Sequence, residues 1–141
     1  MIRPATLQDV TGILGIALGE VKRYPLRPDK DRMQKVIIET ISAPSHLALV
    51  DEEDGQIRAV LLAMSGDNLW AQRKFANVML WWSDKPGSGA KLLRRFRDWV
   101  TSRRAVKVAG FAPDIDLDER TYKLMEHLGF QRSGGAYLLF N

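Results

Sequence analysis

The chain has 141 residues, 45% of them hydrophobic and 27% charged, a balance that fits one domain with its own apolar core and excludes fibrous or disordered classes. With no cysteine, disulfides and thiolate metal sites are excluded; with no membrane-length apolar run and no signal-peptide pattern in Met-Ile-Arg-Pro-Ala-Thr, a soluble cytoplasmic protein is expected. The net charge of +4 is uneven, since residues 85–107 carry eight cations against one acid, which reads either as a solvated basic face or as an attraction for a phosphorylated cofactor or a nucleic acid.

Ile2 opens a short strand, and Thr6 with Asp9 three residues on forms a capping-box pattern. The helix that follows is expected to bury Val10, Ile13, Leu14, Ala17 and Leu18, with Gly12, Gly15 and Gly19 weakening it or admitting a close neighbour. Pro25 and Pro28 hold the next loop out of helix. A second helix is predicted over 29–41, burying Met33, Val36, Ile37 and Thr40 and ending before Pro44. The period then becomes that of strands: 46–50, an acidic hairpin turn over 51–55, and a partner strand over 57–64. His46, at a strand start, reads as structural. A polar link with the isolated Trp70 is expected over 65–74.

The stretch from Val78 to Val100 is the most informative one. Residues 78–82 form a continuous apolar run, as in a strand covered on both faces. Pro86, Gly87, Ser88 and Gly89 then make a turn whose small side chains leave the backbone accessible to a ligand. Leu92, Leu93, Phe96, Trp99 and Val100 mark one face of the helix that follows. A glycine-rich turn feeding a helix N-terminus presents unpaired N–H groups and a partial positive charge, which suits a diphosphate. The pattern lacks the Gly-Lys-Ser/Thr ending of a P-loop and the third glycine of a dinucleotide fingerprint.

A further strand is predicted over 105–109, then a loop with Asp114, Asp116, Asp118 and Glu119 that lacks the glycine and terminal glutamate of a calcium loop. A helix over 119–128 closes at Gly129, and a hairpin about Gly134-Gly135 ends the chain. The element order β-α-α-β-β-β-α-β-α-β-β predicts an α/β (α+β) fold, a mixed sheet with helices on both faces, in a single domain spanning 1–141.

Three stretches within this order, Ile2-Arg-Pro-Ala-Thr-Leu-Gln-Asp9, Asp84-Lys-Pro-Gly-Ser-Gly-Ala-Lys-Leu-Leu93 and Leu124-Met-Glu-His-Leu-Gly-Phe130, resemble the GNAT superfamily of acetyl-CoA-dependent N-acetyltransferases. They correspond to that family's opening strand and cap, its pyrophosphate loop and its late helix. The resemblance implies a mostly antiparallel central sheet flanked by about four helices, with acetyl-CoA wedged between the strand ending at Trp81, Trp82 and Ser83 and the strand over 105–109. It implies that the backbone of Lys85, Gly87, Ser88, Gly89 and Ala90 holds the diphosphate, with Lys85, Lys91 and Arg94 or Arg95 near phosphate oxygens. Amides near residues 80–82 would polarise the thioester carbonyl.

Two positions depart from the family pattern. Asp84 stands where an Arg or Gln is usual, placing an anion beside an anion site. Met125 stands where a tyrosine commonly protonates the departing thiolate, which methionine cannot do. Tyr122, three residues earlier on the same helix face, is the substitute catalytic candidate, its alternative being a core-packing tyrosine. No metal is implied. The acceptor, a small amine or a protein amine, carries no recognisable code, and a homodimer stays open. The rival readings are a catalytically inactive GNAT-fold module that binds CoA or a partner protein, and a nucleic-acid-binding domain suggested by a pI near 9.6. No nucleic-acid signature accompanies that charge. Small proteins of this kind occur in bacteria, where this one would act in the cytoplasm, and in their phages.

Overall fold

A computed structural model of the chain describes residues 1–21, 27–67, 72–111, 117–132 and 139. These form β1 (Ile2–Pro4), a 3-10 turn (Leu7–Asp9) leading into α1 (Val10–Val21), α2 (Lys30–Ser42), β2 (Leu47–Glu53), β3 (Gln56–Asp67), β4 (Lys74–Ser83), α3 (Ser88–Ser102), β5 (Val106–Phe111) and α4 (Glu119–His127). The strands lie side by side in the order β1-β2-β3-β4-β5. All neighbours are antiparallel except β4 and β5, whose parallel pairing follows from the crossover through α3.

Alternation along β3 divides the core into two layers. Ala59, Leu61 and Ala63 face a cluster with Leu92, Leu93 and Phe96 of α3, against which Leu124 and Met125 of α4 also pack. Val60 and Leu62 face the other layer, with Val10 and Ile13 of α1 and Ile37 of α2. Phe96, Leu92 and Leu93 are wholly buried, and truncating such a phenylalanine to alanine costs about 3–5 kcal/mol. Gly12 allows α1 to lie close to the sheet: a Cβ there would stand 3.0 Å from Ile57 Cδ1.

Two expectations about the hairpin and its link are corrected. The acidic segment is not all turn. Asp51 to Glu53 continue β2, and only Asp54 and Gly55 form the loop, both with positive φ as a two-residue type I′ connection needs. The polar link is shorter than expected, because β3 runs on to Asp67, which pairs in register with Lys74 and meets its ammonium at 2.9 Å. His46 is structural, as expected: its Nδ1 accepts the Ser65 amide at 3.2 Å. Of the predicted closing hairpin, residues 130–132 are described and carry no strand; Gly134, Gly135 and residues 136–138, like Trp70, Asp114 and Asp116, lie outside the described residues.

The apolar run over 78–82 conceals a change of phase. Ala63 pairs with Val78 but Leu62 pairs with Leu80, so Met79 is an extra residue on β4, a β-bulge. Before it, Ala76 and Val78 point into the α3 layer; beyond it, Leu80 and Trp82 point into the α1/α2 layer and Trp81 into the α3 layer. Met79 itself is 41% exposed.

Candidate functional site

The bulge at Met79 follows directly on Val78, the last β4 residue paired with β5 among the described residues. β4 pairs with β3 along its whole length, to Ser83, but among the described residues it pairs with β5 only as far as Val78. The part of β4 beyond the bulge, to Ser83, leads into the turn before α3. The Asp84 amide donates to the Arg58 carbonyl at 2.9 Å. By antiparallel alternation, Trp82 and Leu80 also direct their backbone groups at β3, while those of Trp81 and Ser83 point away from β3.

At the turn, Gly87 occupies the N-cap position with φ of +84°, a left-handed conformation that a side chain makes costly. Its missing side chain also leaves the helix uncapped. The Ser88 amide donates to the Lys85 carbonyl at 3.2 Å, the Lys91 amide to the Gly87 carbonyl at 3.1 Å, and the Lys85 amide to Ser83 Oγ at 3.3 Å. Among the described residues the amides of Gly87, Gly89 and Ala90 have no such acceptor, and they sit together at the positive end of the α3 dipole. Lys91, Arg94 and Arg95 project from the same helix, exposed and without an ion pair among the described residues. Elsewhere on the basic segment Arg97 pairs with Asp98 at 2.9 Å, and Arg103 lies 5.1 Å from the centre of the Trp99 ring.

The sequence-derived residues divide into three groups. Trp81, Ser83, Lys85, Gly87, Ser88, Gly89, Ala90 and Lys91 gather at this end of the sheet. Trp81 locks the turn to the strand, its Nε1 donating to the Gly89 carbonyl at 3.0 Å while its ring meets Phe111 of β5 edge-on at 6.0 Å. Lys85 is partly engaged, its ammonium 3.4 Å from Glu53 Oε2. Trp82 points to the opposite face of the sheet, against the α1/α2 layer. Tyr122 is half-buried on α4, outside the apolar cluster that takes up Leu124 and Met125, with the Arg132 guanidinium 4.1 Å above its ring. The Asp84 charge is answered by Arg58, whose Nε donates to its carboxylate at 2.7 Å.

One residue escaped sequence reading. Asp51, read there as part of an acidic hairpin turn, is only 4% exposed. Its Oδ2 accepts the Ser88 hydroxyl at 2.5 Å and its Oδ1 accepts the Met1 ammonium at 2.7 Å. Those two bonds, the ammonium's foremost, hold its carboxyl below the usual carboxylate range. The signal was present in the alternation Leu47, Leu49, Asp51, which places all three on the α3 side of β2.

No protein-family profile and no curated protein sequence matches the chain. Solved structures do. A predicted acetyltransferase from Clostridium acetobutylicum, determined with acetyl-CoA, superposes with a TM-score of 0.75 at 14% identity, over 100% of this chain and 95% of that one. A transcriptional regulator from Bacillus halodurans C-125 gives 0.73 at 17% identity, over 100% and 99% of the two chains. An aminoglycoside acetyltransferase from an uncultured soil metagenomic sample, in complex with sisomicin, gives 0.66 at 14% identity, over 100% and 94%. The fold is thus that of GNAT-like acetyltransferases, as the sequence resemblance implied.

Proposed function

We propose that the protein is an N-acetyltransferase that moves an acetyl group from acetyl-CoA to a primary amine. The observation that carries this reading is an uncapped helix N-terminus, rich in small residues, set directly after the strand end where Trp81 and Ser83 turn their backbone groups away from β3. The amides of Gly87, Gly89 and Ala90 suit the diphosphate, and Lys91 with Arg94 and Arg95 suit its remaining phosphate charge. Pantetheine would lie along the backbone of Trp81 and Ser83, the Trp81 N–H polarising the thioester carbonyl as the amine attacks. The new N–C bond forms as the C–S bond breaks; the amine's proton leaves to solvent or a base, and Tyr122 returns a proton to the thiolate. On this reading the +7 segment answers phosphates rather than nucleic acid.

Isothermal titration of acetyl-CoA tests the binding step, and release of free thiol in the presence of candidate amines tests the chemistry. Saturable binding that Gly89→Glu abolishes is the expected result. Binding that is absent, or indifferent to that substitution, overturns the reading. Tyr122→Phe is expected to lower kcat at least about a hundredfold with KM for acetyl-CoA unchanged, the lower end of what a general acid contributes. A second reading, a CoA-binding module without catalysis, is favoured by one observation, the packing of Met125 into the core where the family has a proton donor. It predicts acetyl-CoA binding with no thiol release across a broad amine panel.

A further inference from the structure

The diphosphate turn needs its amides aimed at one point, and most of what fixes it is local: Ser83 Oγ holds the Lys85 amide, and Trp81 holds the Gly89 carbonyl. Besides the longer-range pairs Asp84–Arg58 and Lys85–Glu53, one non-local restraint acts on the start of α3 itself. Ser88, the first residue of α3, is 2% exposed, and its hydroxyl reaches Asp51, which lies on β2 at the end of the inward-facing series Leu47, Leu49, Asp51. A 2.5 Å bond to an ionised carboxylate, buried on both sides, belongs to the strong class of hydrogen bonds. Because helices seated on sheets by apolar contacts alone can slide, a directional bond at the first residue determines where α3 starts.

Resting on the acetyl-CoA reading above, we propose that Asp51 is a positioning residue for the diphosphate: through Ser88 it sets the place and angle of the Gly87, Gly89 and Ala90 amides. It is not a ligand itself, since a carboxylate repels phosphate. Its charge is answered by the Met1 ammonium, and Ser88 has spent both its hydroxyl and its amide inside the protein. Asp51 acts on the turn's geometry alone, so its loss affects ligands that carry the diphosphate and spares those that do not.

The test compares acetyl-CoA with S-acetylpantetheine, which has the thioester arm but no diphosphate, by calorimetry on Ser88→Ala, Asp51→Ala, the double variant and Ser88→Thr. Each single alanine variant is expected to weaken acetyl-CoA binding about tenfold, and the double variant about as much as one of them, because the pair acts as a unit. Ser88→Thr, which keeps the hydroxyl, is expected to bind within about twofold of the parent chain, as is S-acetylpantetheine to every variant. Equal weakening toward both ligands, or unchanged acetyl-CoA affinity in Ser88→Ala, overturns the proposal. Should Asp51→Ala fail to fold, the contrast between Ser88→Ala and Ser88→Thr decides alone. A parent chain that does not bind acetyl-CoA overturns the function itself; a parent chain that binds, with a Ser88→Ala variant that binds equally, overturns only the role of Asp51.

Discussion

The N-terminus of α3 differs from those of α2 and α4. Asp29 caps α2 by accepting the Arg32 amide at 3.0 Å, and Asp118 caps α4 by accepting the Thr121 amide at 2.8 Å. Both are sealed by a carboxylate that satisfies a free donor and answers the helix dipole. At α3 the cap position is Gly87, which has no side chain to offer, and three amides are left without an acceptor among the described residues. On the acetyl-CoA reading, a capping carboxylate would occupy the place of a phosphate. The same helix-end chemistry therefore serves stability at two ends and is left available at the third.

The largest expected effect comes from making α3 resemble its neighbours. Gly87→Asp sets a carboxylate at the open end and forces it into left-handed backbone at about 1–2 kcal/mol. Acetyl-CoA affinity is expected to fall at least about a hundredfold, and an unchanged dissociation constant would break the comparison.

Next is acid. Asp9 is held below the usual carboxylate range first by its hydrogen bond from Arg3 and then by the Thr6 amide, and Asp51 by the Met1 ammonium and Ser88. Carboxylates depressed on folding stabilise above their unfolded pKa, and that contribution is lost as pH falls through the folded value. Urea unfolding is therefore expected to show stability insensitive to these two groups above about pH 5 and falling below about pH 4. The slope is at most about 1.4 kcal/mol per pH unit for each proton taken up.

Removing a sealed cap is a milder change. Asp29→Ala is expected to cost about 1 kcal/mol in denaturant unfolding while leaving acetyl-CoA affinity unchanged, the converse of the α3 result. The smallest effect is Lys91→Ala, a single exposed cation near the open end. A three- to fivefold loss of acetyl-CoA affinity, shrinking as salt is raised, is expected at about 0.05 M ionic strength.

Much of this arrangement is legible in the chain itself. The caps of α2 and α4, an Asp carboxylate accepting the amide three residues on, the type I′ pair Asp54-Gly55 and the closure of α4 by Gly129 are all written within a few residues. In the last of these the Phe130 amide reaches the Met125 carbonyl at 2.9 Å and Gly129 takes φ of +95°. The small residues that open α3 are equally local. The uninterrupted run over 78–82 could not reveal the bulge at Met79, because a bulge is a mismatch between two strands and neither strand records it alone.

Sequence by itself determined the order of the elements from β1 to α4, the apolar face of α3 and the small residues of the turn before it, since each follows from torsion preferences and side-chain spacing over one or two turns. Tertiary structure alone decided that Trp81 and Trp82 part to opposite layers, that Asp84 meets Arg58, and that Asp51 is buried beneath Ser88, 37 residues away. Those outcomes depend on which surfaces meet when the sheet closes, and a charged side chain in an acidic run gives no sign of its partner until the strand carrying it has been placed in register.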